Sequence, residues 1–173
     1  MKKLLAAILL FCLPIRAMAE GSVEFGAEAM TFAGYGFSLA LPAGWLALDM
    51  METDDEISFM DESFPVLLYR MYVSGSADCR MAVIVVSFED TEENWGIVET
   101  FGRYYGEFGE WGEMGGARAF SFSDFSADAC GVFVLGDGVL IAIMGSPLSD
   151  LEFTGILSLV IDSFAFTKET RHK

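Results

Sequence analysis

Histidine is nearly missing: the 173 residues hold one, His172, and it lies in the C-terminal tail. A Ser-His-Asp or Cys-His arrangement within the fold therefore has no imidazole to use. A histidine-bound zinc site is excluded for the same reason. Basic residues are scarce as well. Ten Lys+Arg stand against 26 Asp+Glu, a formal net charge of −16. Nucleic acid and anionic membrane both require a basic footprint, so neither is an expected partner. Basic proteins, small cations and neutral ligands remain open. Neither phosphate-binding motif, GxGxxG after a strand nor GxxxxGK[ST], is present, and no cofactor or metal site is expected. The 4 prolines mark no linker, and no repeat or low-complexity block interrupts the chain.

What is present begins with an export signal. Lys2 and Lys3 precede an apolar run from Leu4 to Leu13, too short to span a bilayer and the right length for a signal peptide. Pro14 breaks the run, and Ala17-Met18-Ala19 is a small-x-small cleavage site. Cleavage is expected between Ala19 and Glu20, delivering the protein to the periplasm or the extracellular space. Phe11 before Cys12 argues against a lipoprotein signal. Removing residues 1–19 takes Lys2, Lys3 and Arg16 away and deepens the charge to −19. Residues 20–167 then read as a single domain, with 168–173 as a flexible polar tail. Cys79 and Cys130 remain after cleavage. Their spacing is no CxxC motif, and the oxidising compartment predicts a disulfide between them.

The apolar pattern is mostly that of strands. Phe37, Leu39 and Leu41 alternate with Ser38 and Ala40, a half-buried strand. Pro42-Ala43-Gly44 reverses the chain into a strand from Trp45 to Leu48. Asp54-Asp55-Glu56 is an acidic turn before Ile57 to Met60, and Val66 to Val73 is a longer strand. Met81 to Val86 and Leu140 to Met144 are apolar without alternation, which means burial on both faces. Cys130 to Leu135 pairs with the latter across Gly136-Asp137-Gly138, and Ala119 to Phe125 is a further strand.

Two amphipathic helices stand out. The first starts at Asp90 with Glu93 as its capping partner; Ile97, Val98, Phe101, Tyr104, Tyr105 and Phe108 form its stripe. The second starts at Ser149 with Glu152 and buries Phe153, Ile156, Leu157, Val160 and Ile161. Ser163 to Phe166 is a short closing strand. The expected fold class is α+β: an antiparallel sheet of about seven or eight strands with amphipathic helices packed on it, an α/β/α sandwich.

The stretch Tyr35-Gly36-Phe37-Ser38-Leu39-Ala40-Leu41-Pro42-Ala43-Gly44-Trp45 resembles the opening strand and turn of the PsbP-like superfamily. Residues 156–166 look like that family's closing helix and strand. The family spans an extrinsic photosystem II protein, a Ran-binding nuclear transport factor and small bacterial exported proteins. The resemblance implies the fold and no single activity. No residues here match the photosystem protein's ion-retaining positions or the Ran-contacting surface, so neither function carries over.

With imidazole chemistry gone, acids and aromatics are the remaining inventory. The expected function is a non-enzymatic binding or interaction module. Trp95 lies off the helical stripe and Trp111 lies beyond Gly109, so these two are the candidate ligand or partner contacts. Trp45 reads as a structural cover for the core edge. Two alternatives stand beside this reading. One is a carboxylate-based hydrolase acting on glycans, which needs only two acids. The other is a calcium-dependent module using Asp54-Asp55-Glu56 or Glu89-Asp90-Glu92-Glu93, although neither matches an EF-hand. The glycine-rich segment from Gly109 to Gly116 is read as a flexible loop.

Overall fold

Six consecutive apolar residues, Met81 to Val86, can be buried only if both faces of their strand are covered. The computed structural model describes residues 25–32, 34–50, 56–59, 62–105 and 108–167, and it meets that demand with a layer on each side. In chain order the elements are β1 (Phe25–Phe32), β2 (Phe37–Pro42), β3 (Leu46–Asp49), β4 (Glu56–Phe59), β5 (Glu62–Val73) and β6 (Arg80–Ser87). Helix α1 (Glu92–Tyr105) follows, then β7 (Phe108–Met114), β8 (Ala117–Asp124), β9 (Ala129–Leu135), β10 (Val139–Ser146), α2 (Leu151–Asp162) and β11 (Ala165–Phe166).

The large sheet runs β3-β5-β6-β10-β9-β8-β7, antiparallel throughout, with β4 pairing the first residues of β5. Side chains alternate across it. Ala82, Ile84 and Val86 join Phe120, Phe122, Phe133 and Leu140 on one face, where Trp95 and Val98 of α1 cover them. Met81, Val83 and Val85 join Val132, Val134, Ile141 and Ile143 on the other. That second face is covered by Phe153, Leu157 and Val160 of α2 and by a small sheet of order β1-β2-β11. Each of the larger aliphatic and phenyl side chains among these stabilises the fold by about 1.5–3 kcal/mol relative to exposure. Gly145 lets α2 sit close to β10, since a Cβ there would fall 2.6 Å from the Phe153 ring and 2.8 Å from Leu157.

The expected α+β sandwich is therefore present, with four local corrections. Pro42-Ala43-Gly44 is not a hairpin: β2 pairs β1 and β11, whereas β3 pairs β5 in the other sheet. The turn is a corner, and Trp45 seals it by stacking on Phe153 at 6.0 Å. Strand β1 has no counterpart among the expected elements. The segment expected as a loop, Gly109 to Gly116, is most of β7 and a two-residue turn. Phe108 accordingly belongs to β7 rather than to α1. The helix caps move by one residue each. Thr91, not Asp90, caps α1, accepting the Asn94 amide on Oγ1 at 3.2 Å while its carbonyl accepts the Trp95 amide. Asp150, not Ser149, caps α2 and accepts the amides of Glu152 and Phe153 at 2.9 and 3.1 Å. The signal segment, Asp54-Asp55 and the tail from Lys168 lie outside the described residues.

Asp150→Ala removes both cap bonds of α2, and the expected cost is about 1 kcal/mol. Urea denaturation measures it. A loss below a few tenths of a kcal/mol would return the cap to Ser149.

Candidate functional site: the outer hairpin

β7 and β8 meet at Gly115-Gly116, whose φ values of 60° and 82° are both in the left-handed region. A two-residue hairpin of this hand needs positive φ at both central positions, and glycine adopts it without strain. The register that follows is fixed: Met114 opposes Ala117, Trp111 opposes Phe120, and Glu110 opposes Ser121. Trp111 and Glu113 thus share the face of α1, while Glu110, Gly112 and Met114 face the side of α2.

On the α1 side the hairpin carries an aromatic cluster closed by one cation. Trp95 is 1% exposed and donates its indole N–H to Asp90 Oδ1 at 2.8 Å. Trp111 crosses it edge-on at 5.2 Å and meets Phe120 at 4.9 Å, yet remains 38% exposed. The Arg118 guanidinium lies 4.8 Å from the Trp95 ring and 4.4 Å from the Trp111 ring. Its Nη1 donates to Glu92 Oε1 at 2.8 Å. One arginine therefore ties the first turn of α1 to both tryptophans, through two cation–π contacts and an ion pair.

The two candidate tryptophans are brought together but differ in role. Trp111 is on the surface. Trp95 is not, so it is no direct contact residue. It flanks the helical stripe by about one position, and the ring is large enough to reach the core beside Val98. Asp90, released from capping, holds it there. Arg118 went unrecognised in the sequence. The available signal was its isolation, as the single basic residue between Arg103 and Lys168.

On the α2 side a hollow of about 480 Å³ opens between β7 and the end of α2, lined by Glu110, Met114, Val132, Ile161 and Asp162. It adjoins, through Gly115 and Phe164, a cleft of about 930 Å³ beneath Tyr35, Leu135 and Phe166, with Asp137 at its rim. Among the described residues, no basic side chain lines either space. Glu110, Glu113 and Asp162 are all exposed, so the hollow is an open acidic trough rather than a dry pair of acids. The buried carboxylate Asp124 is committed to its own turn, accepting from Ser126 N, Ser126 Oγ and Ala127 N at 2.7–2.9 Å. Among the described residues, no group of three or more His, Cys, Asp or Glu gathers around a metal-sized space. The acids after β6 are engaged separately, Asp90 by Trp95 and Glu92 by Arg118.

The disulfide expected between Cys79 and Cys130 is not formed, and both are free thiols. The sheet register explains this. Cys130 pairs Gly145 of β10, and Cys79 immediately precedes Arg80, which pairs Ser146 of the same strand. Two strand spacings separate them, about 10 Å, beyond the roughly 7 Å a disulfide tolerates between Cα atoms. Burial pushes the Cys79 thiol up, with Asp150 and Asp78 adding to it; burial and then Asp128 do the same for Cys130.

No family model and no curated protein matches the chain. Among solved structures it is similar to the cyanobacterial PsbP, CyanoP, from Synechocystis sp. PCC 6803. The TM-score is 0.57 at 11% identity, covering 87% of this chain and 98% of that one. The architecture is that of an α+β sandwich. More narrowly, the fold is PsbP-like.

Two predictions follow from the site. Arg118→Ala removes both cation–π contacts; the expected loss is about 1 kcal/mol, with Trp111 fluorescence shifting to the red as the ring is wetted. Unchanged emission would mean the guanidinium does not shield it. The thiols set a pH dependence. Their folded values lie above the ordinary 9.0, so the stability they contribute is complete below that value and is lost as pH rises through the folded values. The melting temperature should hold to about pH 8.5 and decline above about pH 9, with a smaller decline there for the Cys79→Ala/Cys130→Ala variant. An identical decline in the variant would remove the thiols as its cause.

Proposed function

We propose that the protein is an exported, non-catalytic binding module whose contact surface centres on Trp111. The carrying observation is the posture of that ring, exposed yet clamped by Trp95, Phe120 and Arg118. Binding surfaces are dominated by large aromatic and arginine side chains, and a ring fixed before contact loses little entropy on binding. Trp95 contributes from beneath, as the support that sets the angle of Trp111. The signal-peptide pattern supports export with cleavage between Ala19 and Glu20, and residues 20–167 act as the working unit. The formal charge favours a protein or a small neutral or cationic ligand and disfavours nucleic acid and anionic membrane.

Position 111 is tested by replacing Trp111 with a photoreactive benzoylphenylalanine and irradiating cells that export the protein. Discrete heavier adducts are expected from position 111 and none from Ser158, exposed on α2. Equal labelling at both positions, or none at either, would overturn the assignment.

A further inference from the structure

We propose that β7 receives an extended, basic segment of a partner protein as an added strand. The inference rests on the reading of the protein as a binding module and names the chemistry of what it binds.

β7 ends the large sheet, and among the described residues nothing pairs with its outer edge. The hairpin geometry says which groups that edge presents. In a two-residue hairpin the closing pair exchanges both of its backbone hydrogen bonds, and bonded and non-bonded pairs alternate from there. Met114, Gly112 and Glu110 therefore point their main chain inward, at Ala117, Ala119 and Ser121. Ser121 Oγ reaching the Glu110 carbonyl at 3.3 Å agrees with this. Gly109, Trp111 and Glu113 point their N–H and C=O groups outward. These are the donors and acceptors that an incoming strand uses. The edge is 7 residues long, against 4 for β3 at the far end of the same sheet; in the small sheet the edges are β1, 8 residues, and β11, 2 residues.

Charge selects the occupant. Glu110 stands on one side of the edge and Glu113 on the other, with Asp162 across the hollow from Glu110. Arg118, opposite Glu113 in the register, is held by Glu92. A second copy of this chain pairing antiparallel along the whole of β7 would set Glu110 opposite Gly112 and diagonal to the other copy's Glu110, bringing like charges within reach of each other across the strands. An edge lined with one sign of charge blocks self-association in this way. The same carboxylates attract lysine or arginine. Alternate side chains of an added strand fall into the two environments the edge divides. One set enters the trough by Glu110 and Asp162. The other passes over Glu113 and the exposed face of Trp111, which accepts a cation as it already accepts Arg118.

The test is amide hydrogen exchange by NMR on the full chain, with a blocked peptide alternating lysine and threonine over seven residues. The expected result is slowing by about tenfold or more at Gly109, Trp111 and Glu113, with Glu110 and Gly112 unchanged. A peptide of equal charge with proline replacing threonine keeps the attraction and loses the strand, so it should give no such alternation. Glu110→Gln/Glu113→Gln should weaken the lysine peptide by about fivefold or more. Three results would overturn the proposal: binding without alternating protection, equal protection by both peptides, or outward amides already protected without peptide because another part of the chain covers the edge. Discrete adducts at position 111 combined with no protection would sink the strand addition and leave the binding module standing. Alternating protection without adducts would keep the edge and displace Trp111 from the centre of contact.

Discussion

β6 and β10 place apolar side chains above and below the sheet at successive positions, and neither strand has a wet face. Val83 and Ile143 are fully buried on the side of α2, while Ile84 and Leu140 are buried on the side of α1. Two covering layers are a consequence. α1 supplies one. α2 and the small sheet supply the other together, because a helix alone would leave part of the sheet uncovered. The corner at Pro42-Ala43-Gly44 exists to carry the chain from that cover back into the main sheet. Gly145 has its reason here too, since the cover must approach closely enough to exclude water.

Much of this architecture was legible because burial on both faces leaves an unmistakable run of apolar residues. β6 and β10 were readable on that basis, β9 from its pairing with β10 across the Gly136-Asp137-Gly138 turn, β5 from its bulky and β-branched residues, and β2 and β8 from apolar residues on one face. The failures share a cause. Where a neighbour rather than a local pattern decides the structure, sequence reasoning misassigns it. β7 contains Gly109 and Gly112 and ends at Gly115-Gly116, so its strand character comes from pairing with β8 and not from its own residues. β1 mixes alanine, glycine and glutamate and takes its form from β2. The reversal at residue 44 was visible, but the partner of β3 was not. The disulfide was inferred from the compartment, and the register across β10 decides against it.

The site was half legible, for an instructive reason. Trp95 and Trp111 were singled out as aromatics off the expected stripe, and they do lie together. Their division into a buried ring and an exposed one depends on Asp90 and Arg118, neither of which announces itself. Asp90 resembles a helix cap and is displaced from that duty by Thr91 one residue later. That displacement leaves a carboxylate within reach of the Trp95 indole. Helix caps are easily misjudged by one residue, and here the error concealed what holds the Trp95 ring.

The acidity of the chain acquires a local meaning at the same place. An excess of carboxylates keeps molecules apart wherever it falls on the surface, and solubility alone asks nothing more specific. At β7 the position of the charge matters. A free strand edge is a template for any extended chain, including another copy of itself. Glutamates on both sides of that edge disfavour the copy by like charge without closing the edge. Lysines would have protected the edge equally well against self-pairing. Under the proposed strand addition, the choice of carboxylates bears on the sign of the partner rather than on protection as such, in keeping with a chain of 26 acids and 10 bases.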